Sequence, residues 1–183
     1  SLHDTLCFDL SDELVLTSPL PGVEPADNLI IKAAHLLKTK TLCTKGARIQ
    51  LEKHIPMGSG LGGGSSNAAT TLIALNRLWQ LNLTQAELLP LASQLGADVG
   101  IFVYGHAAFA QGIGDEFTAI EPPTPWYVIL VPPVHVSTIA MYTHPQLIRN
   151  TPIITVEDYL AGYPCHNDFS PLVCQEYPVI AKA

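Results

Sequence analysis

Charge is scarce in this sequence, and positive charge scarcer still. Nine lysines and arginines stand against sixteen aspartates and glutamates, a net charge of −7 with only 14% of residues charged. That balance excludes a nucleic-acid partner held by general electrostatics. It leaves room for an anionic substrate gripped locally by backbone amides. Long apolar runs are also missing: none approaches the roughly 20 residues that span a bilayer, and no basic-then-apolar leader is visible. Cys7, Cys43, Cys165 and Cys174 form no CxxC pair and no dense disulfide spacing, so reduced thiols in a cytoplasmic protein are expected. The histidines show no HExxH or other metal spacing, and no metal site is expected from protein ligands. Internal repeats are absent. What remains is 183 residues, 48% of them hydrophobic, enough for a packed core in one sizeable domain or two small ones.

Against that background the run Pro56-Met57-Gly58-Ser59-Gly60-Leu61-Gly62-Gly63-Gly64-Ser65-Ser66-Asn67 stands out. Before it, Ala47, Ile49 and Leu51 alternate with polar neighbours, the period of a half-buried strand. After it, Ala68, Leu72, Leu75 and Trp79 recur at helical spacing. Glycine loses the most backbone freedom on folding, so a run this rich is costly to order. In return, backbone amides can curl around a ligand with no side chains in the way. A helix starting behind them adds unpaired N–H groups and about half a positive charge, which favours phosphate. The run reads as a polyphosphate cradle.

Along the rest of the chain, residues 2–16 suggest two short strands joined through Ser11-Asp12-Glu13. Asp27 is a good N-cap for a helix burying Leu29, Ile30, Ala33, Ala34 and Leu37, with Asn28 in its first turn. Thr84 to Glu87 fits a capping box opening a helix through Leu95, which Pro90 should bend or interrupt and Gly96 should end. Val99 to Tyr104 reads as a short apolar strand, and Ala107 to Gln111 as another before a turn at Gly112-Ile113-Gly114. Pro122 to Pro125 looks like a domain boundary, with Trp126 to Val131 as a central strand beyond it. Short helices are expected around Ile139 to Tyr142 and Val156 to Leu160.

Three phosphate-loop patterns compete for the glycine run. The P-loop requires GxxxxGK and then Ser or Thr, and no lysine follows these glycines. Gly58-x-Gly60-x-x-Gly63 satisfies the dinucleotide GxGxxG, but no second strand ending in an acid lies about 20 residues on. The protein-kinase glycine loop joins two strands of a hairpin, whereas a helix follows here. A plain flexible linker is the remaining reading, and it sits poorly between a strand and an amphipathic helix.

The string Pro56 to Ala68 resembles the Pro-x-x-x-Gly-Leu-Gly-Ser-Ser signature of the GHMP kinases. The triple glycine, Leu95-Gly96-Ala97-Asp98-Val99 and Gly105-His106-Ala107-Ala108 narrow the resemblance to the members acting on 4-diphosphocytidyl-2-C-methyl-D-erythritol in non-mevalonate isoprenoid synthesis. The likeness covers about Asp27 to Pro152. It implies an α+β, two-domain GHMP kinase-like fold truncated at both ends. Residues 1–122 would be the ATP-binding N-terminal domain, ribosomal protein S5 domain 2-like and lacking its first strands. Residues 123–183 would begin a ferredoxin-like C-terminal domain. It also implies ATP and Mg2+, transfer to the substrate's 2-hydroxyl, and a monomer or homodimer with no nucleic-acid or membrane partner.

The same resemblance carries residue roles. Pro56, Met57, Gly58, Ser59, Gly60, Leu61, Gly62, Gly63, Gly64, Ser65 and Ser66 would hold the ATP phosphates. Ser65, Ser66 and Asn67 sit where capping the helix and touching phosphate or magnesium are both open. Asn28 and Lys53 match positions near the adenine, though a strand-end lysine can equally be solvated. Asp98 would be the general base for the substrate hydroxyl, the alternative being a turn cap after Gly96. Thr138 and Tyr142 match positions lining a cytidine pocket, where an aromatic ring stacks on cytosine; a buried core tyrosine is the other reading. His106 and Asn150 lie in matching segments without assigned roles.

The family's Pro-Ala-Lys-x-Asn-Leu opening, its Gly-Tyr-His and its closing glycine loop have no counterpart here. The chain, which starts at Ser1 and stops at Ala183, is therefore expected to be an internal portion of a longer enzyme, poorly active or inactive by itself. Another GHMP kinase, such as one for homoserine, and a non-catalytic nucleotide-binding remnant remain as alternatives.

Overall fold

Alternation along residues 5–16 and 46–52 produces three strands: β1 (Thr5–Ser11), β2 (Leu14–Leu16) and β3 (Gly46–Glu52). They form one sheet in the order β1-β3-β2, with β1 antiparallel and β2 parallel to β3. The computed structural model describes residues 2–183. Ser11 pairs with Gly46 and Leu14 with Ala47, so the chain crosses the start of β3 through Asp12 and Glu13. That crossing needs glycine at 46: a Cβ there would lie 2.5 Å from the Glu13 carbonyl carbon and 2.6 Å from that of Asp12. Real Cβ atoms do not approach backbone so closely.

On this sheet pack α1 (Leu29–Thr41) and α2 (Gly63–Leu78), followed by α3 (Gln85–Leu95) and α4 (Val99–Tyr104). Ile30, Ala33, Ala34 and Leu37 of α1 are buried against Ala68, Leu72 and Leu75 of α2 and Ala47, Ile49 and Leu51 of β3. Trp79, closing α2, is 2% exposed and donates its indole N–H to the Gly46 carbonyl at 3.0 Å. A buried indole that kept no acceptor would lose this compensation. The turn after α2 is pinned by Asn76, whose amide donates to the Leu83 carbonyl and whose oxygen accepts from the Leu83 N–H.

Three local expectations need correction. The N-cap of α1 is Asn28, whose side-chain oxygen accepts from the Ile30 N–H at 2.9 Å, while Asp27 ends a 3-10 turn over Pro25–Asp27. Residues 99–104 form a helix, not a strand: Val99, Gly100 and Val103 are buried on one face and Gly105 ends it at φ 75°. The apolar run is short enough to suit either state, and packing against α2 and α3 decides it. Pro90 does not interrupt α3, which runs unbroken behind a complete Thr84–Glu87 capping box with Leu88, Leu91 and Ala92 buried. A hairpin of β4 (Ala108–Gln111) and β5 (Glu116–Ala119) follows; β5 is not foreseen from the sequence.

The chain divides into two compact units at Pro123 and Thr124. The second contains α5 (Thr138–Thr143), α6 (Val156–Leu160), α7 (Ser170–Glu176) and α8 (Pro178–Ala181). Met141 and Leu172 are its buried apolar side chains. The expected strand at 126–131 is absent: Trp126 and Val128 are fully or nearly fully exposed and no strand lies beside them. A strand is completed by a hydrogen-bonded neighbour, and none of the described residues of this unit supplies one.

Candidate active site

Between β3 and α2 the glycine run folds into the wall of a cavity of about 300 Å³. Gly58, Gly60 and Gly62 all adopt left-handed backbone, with φ of 69°, 73° and 68°. These angles turn the chain repeatedly in a short span, and other residues adopt them at a cost. Helix α2 begins inside the run, with Gly62 as N-cap, so the amides of Gly63, Gly64 and Ser65 occupy its first turn. Such amides have no intrahelical acceptor and face outward with the positive end of the helix dipole.

Every residue predicted for nucleotide binding lines this cavity except Ser66. Ser66 is turned into its own helix, its Oγ donating to the Gly63 carbonyl at 3.0 Å. Neither serine caps α2, and Asn67 lies in the helix's second turn, 5% exposed. Ser65 remains on the cavity side. Asn28 and Lys53, remote in sequence, come to the same wall. Leu20, Val23, Leu29 and Ile30 add an apolar wall that sequence reasoning missed: Leu20 and Val23 lie in a loop with no distinguishing pattern, and Leu29 and Ile30 read only as the packing face of α1.

Sequence reasoning also missed Asp4. Its side chain is 2% exposed and accepts four hydrogen bonds: Lys53 Nζ at 2.7 Å, Asn67 Nδ2 at 3.0 Å, and the backbone N–H groups of His54 and Ile55 at 2.8 Å each. Burial alone would raise its pKa. The Lys53 ammonium, the two backbone N–H groups and the Asn67 amide together outweigh that and hold it at about 2. Lys53 also donates to the Ile55 carbonyl, so it is neither a free surface lysine nor an unpaired charge.

Asp98 precedes α4, is exposed, and makes no side-chain cap hydrogen bond. The capping alternative is therefore not realised. One turn further, about 6 Å along the helix axis, Phe102 packs on the loop: its ring carbon lies 2.8 Å from where a Gly62 Cβ would be. Phe102 thus anchors the helix that carries Asp98 to the glycine loop. His106 stands edge-on to Tyr104 with ring centroids 5.9 Å apart.

In the second unit, Thr138 is the exposed first residue of α5, behind the Ser137 cap. Tyr142 is 63% exposed, which removes the core-tyrosine reading, and stands edge-on to Phe169 at 4.8 Å. Both rings line a cavity of about 710 Å³ with Arg149, His166 and Asp168.

This arrangement has counterparts among known proteins. Residues 28–106 match the GHMP kinases N terminal domain. The chain is 51% identical over 175 residues to the 4-diphosphocytidyl-2-C-methyl-D-erythritol kinase of Methylococcus capsulatus, covering 96% of this chain and 60% of that protein. It is 50% identical over 179 residues to the kinase of the same name from Aliivibrio salmonicida, covering 97% and 62%. The chain thus spans about three-fifths of the length of these curated relatives. A crystal structure of 4-(cytidine 5'-diphospho)-2C-methyl-D-erythritol kinase superposes with a TM-score of 0.77 at 30% identity, covering all of this chain and 68% of that one. Homoserine kinase from Cytophaga hutchinsonii shares the fold, with a TM-score of 0.58 at 21% identity over 86% of this chain and 54% of its own. With the glycine loop, its helix and the flanking Asn28 and Lys53 placed as described, and with these identities, the chain belongs to the 4-diphosphocytidyl-2-C-methyl-D-erythritol kinase family of the GHMP kinases.

Proposed function

We propose that this chain carries the ATP site and the catalytic base of an enzyme that transfers the γ-phosphoryl group of ATP to the 2-hydroxyl of 4-diphosphocytidyl-2-C-methyl-D-erythritol, a step of non-mevalonate isoprenoid synthesis. The carrying observation is the cavity in which the glycine loop, the first turn of α2, Asn28 and Lys53 converge. Leu20, Val23, Leu29 and Ile30 offer the adenine an apolar bed, and Asn28, already committed to capping α1, would flank it. The amides of residues 58–65 would receive the phosphates, with the helix dipole supplying positive charge and Lys53, its charge shared with Asp4, standing at the cavity wall. Residues 1–122 would then be the ATP-binding domain and 123–183 part of the substrate domain.

Magnesium would bind here largely through the phosphate oxygens and waters, because the ion dehydrates reluctantly and keeps several waters in phosphate sites. The Ser65 hydroxyl, on the cavity side of the first turn, would hold it. When bound, the ion neutralises charge on the phosphates. The protein's own contribution is to align the γ-phosphoryl group and to remove a proton. Asp98, exposed and uncommitted to a cap, would accept the hydroxyl proton as the oxygen attacks phosphorus and ADP leaves. In the second unit Tyr142 would stack on cytosine, its exposed ring free to receive a base, with Thr138 nearby at the start of the same helix.

The test is a chimera in which this chain replaces the matching residues of the Methylococcus capsulatus relative. It should form ADP only when the cytidine-diphosphate-linked substrate is added, and Asp98→Asn should lower turnover roughly 10²-fold or more while nucleotide binding is kept. No substrate-dependent ADP from a folded chimera would overturn the assignment, and near-normal turnover by the Asn variant would remove Asp98 from the mechanism.

A further inference from the structure

One buried carboxylate ties together both ends of the glycine loop. The loop of residues 56–62 leaves β3 through Lys53, His54 and Ile55 and enters α2 at Gly63. Asp4 accepts from the backbone N–H groups of His54 and Ile55 with one oxygen, and from Lys53 Nζ and Asn67 Nδ2 with the other. A carboxylate offers about four acceptor positions, so this one is fully occupied. Its two oxygens divide the work: one holds the strand exit, the other holds one side chain from before the loop and one from after it. Lys53 lies beneath the first turn of α2, its Nζ 2.9 Å from where a Gly63 Cβ would sit.

We propose that Asp4 is the positioning residue of the nucleotide site: through Lys53, Asn67 and the backbone at 54 and 55 it holds the loop open at the width of a phosphate chain. It does not line the cavity, so it acts through these groups. The proposal rests on the nucleotide reading above. A loop with three left-handed glycines has many accessible shapes, and fixing its ends before the ligand arrives removes an ordering cost from binding. Asparagine at position 4 keeps the shape but can accept at only one oxygen, so two of the four donors lose their partner.

The full chain is titrated calorimetrically with ATP and, separately, with adenosine, which lacks phosphates. Asp4→Asn should weaken ATP binding about 10-fold while adenosine affinity stays within about 2-fold, because only the phosphate arm depends on loop width. The exchange Asp4→Asn with Asn67→Asp returns one carboxylate and one amide to the same network and should recover ATP affinity to within about 3-fold of the parent. Should Asp4→Asn alone fail to fold, Asn67→Ala removes a single arm and should cost ATP affinity about 3-fold, again sparing adenosine. Unchanged or tighter ATP binding in the folded variants, or equal losses for ATP and adenosine, would overturn the positioning role. A parent chain that binds adenosine but not ATP would overturn the phosphate-loop reading itself, and with it this inference.

Discussion

At the scale of single residues, Asp4 gives the molecule a pH signature. Its folded pKa of about 2 lies below the ordinary 3.8. The stabilisation it contributes is therefore complete above the unfolded value and is lost as pH falls through the folded one. A shift of this size corresponds to on the order of 2 kcal/mol at neutral pH. Urea unfolding of the parent and of Asp4→Asn should differ by that amount at neutral pH, narrow below about pH 4, and converge near pH 2. A gap that persists undiminished into strong acid would assign the difference to packing instead of charge. The role of Asp4 was not legible in the sequence. Its side-chain partners lie 49 and 63 positions away, and an isolated acid before a short strand has no local signature. Pro56 to Ser66 was legible because glycines, a strand period and a helix period lie in direct succession. Which of the two adjacent serines faces the cavity was not legible, since Ser65 and Ser66 differ only in where the first turn of α2 points them.

At the scale of elements, the crossing of residues 12–13 over the start of β3 is the feature on which the sheet depends. Gly46→Ala places a methyl group 2.5 to 2.6 Å from three backbone atoms, and backbone cannot swing aside as a side chain tip can. The variant should lose roughly 1–3 kcal/mol or more of stability, measured by thermal or urea unfolding. An Ala variant as stable as the parent would mean that the crossing loop has another path. Sequence reasoning found the helices α1, α2 and α3 and the strand β3 because their apolar positions recur at one period over several turns or pairs. It failed at α4, where six residues rich in Val, Ile and Phe are too few to express a period. There the neighbours α2 and α3 supply the surface that makes a helix the better way to bury Val99 and Val103.

At the scale of the whole chain, two units meet in a long segment without regular structure, residues 120–137. Trp126 is fully exposed and Tyr127 is 77% exposed. Exposed backbone without hydrogen-bonded structure is where proteases cut, and chymotrypsin favours aromatic residues. Brief chymotrypsin treatment should therefore cleave first at Trp126 or Tyr127, leaving residues 1–126 or 1–127 as the protected product by mass. First cleavage within α1 or α2 would contradict the unit boundary. Pro122, Pro123 and Pro125 lie at this division, where proline clusters disfavour both helix and sheet interiors. It also suggested a strand at 126–131, because Trp, Tyr, Val and Ile favour pleated surfaces. That composition states a preference, and the preference is satisfied only when a partner strand stands alongside.

The sequence by itself determined the glycine loop between strand and helix, the periods of the principal helices and of β3, the Thr84 capping box and the GHMP resemblance. All of these are written in residues close together along the chain. Only the tertiary structure decided that Asn28 caps α1 while facing the cavity, that Phe102 anchors the Asp98 helix to Gly62, and that Asp4 gathers Lys53, Asn67 and two backbone amides. Each of these joins groups whose meeting depends on how the whole unit closes. Local preference sets what a segment can become; burial and hydrogen-bond satisfaction among distant segments select which of those states is kept.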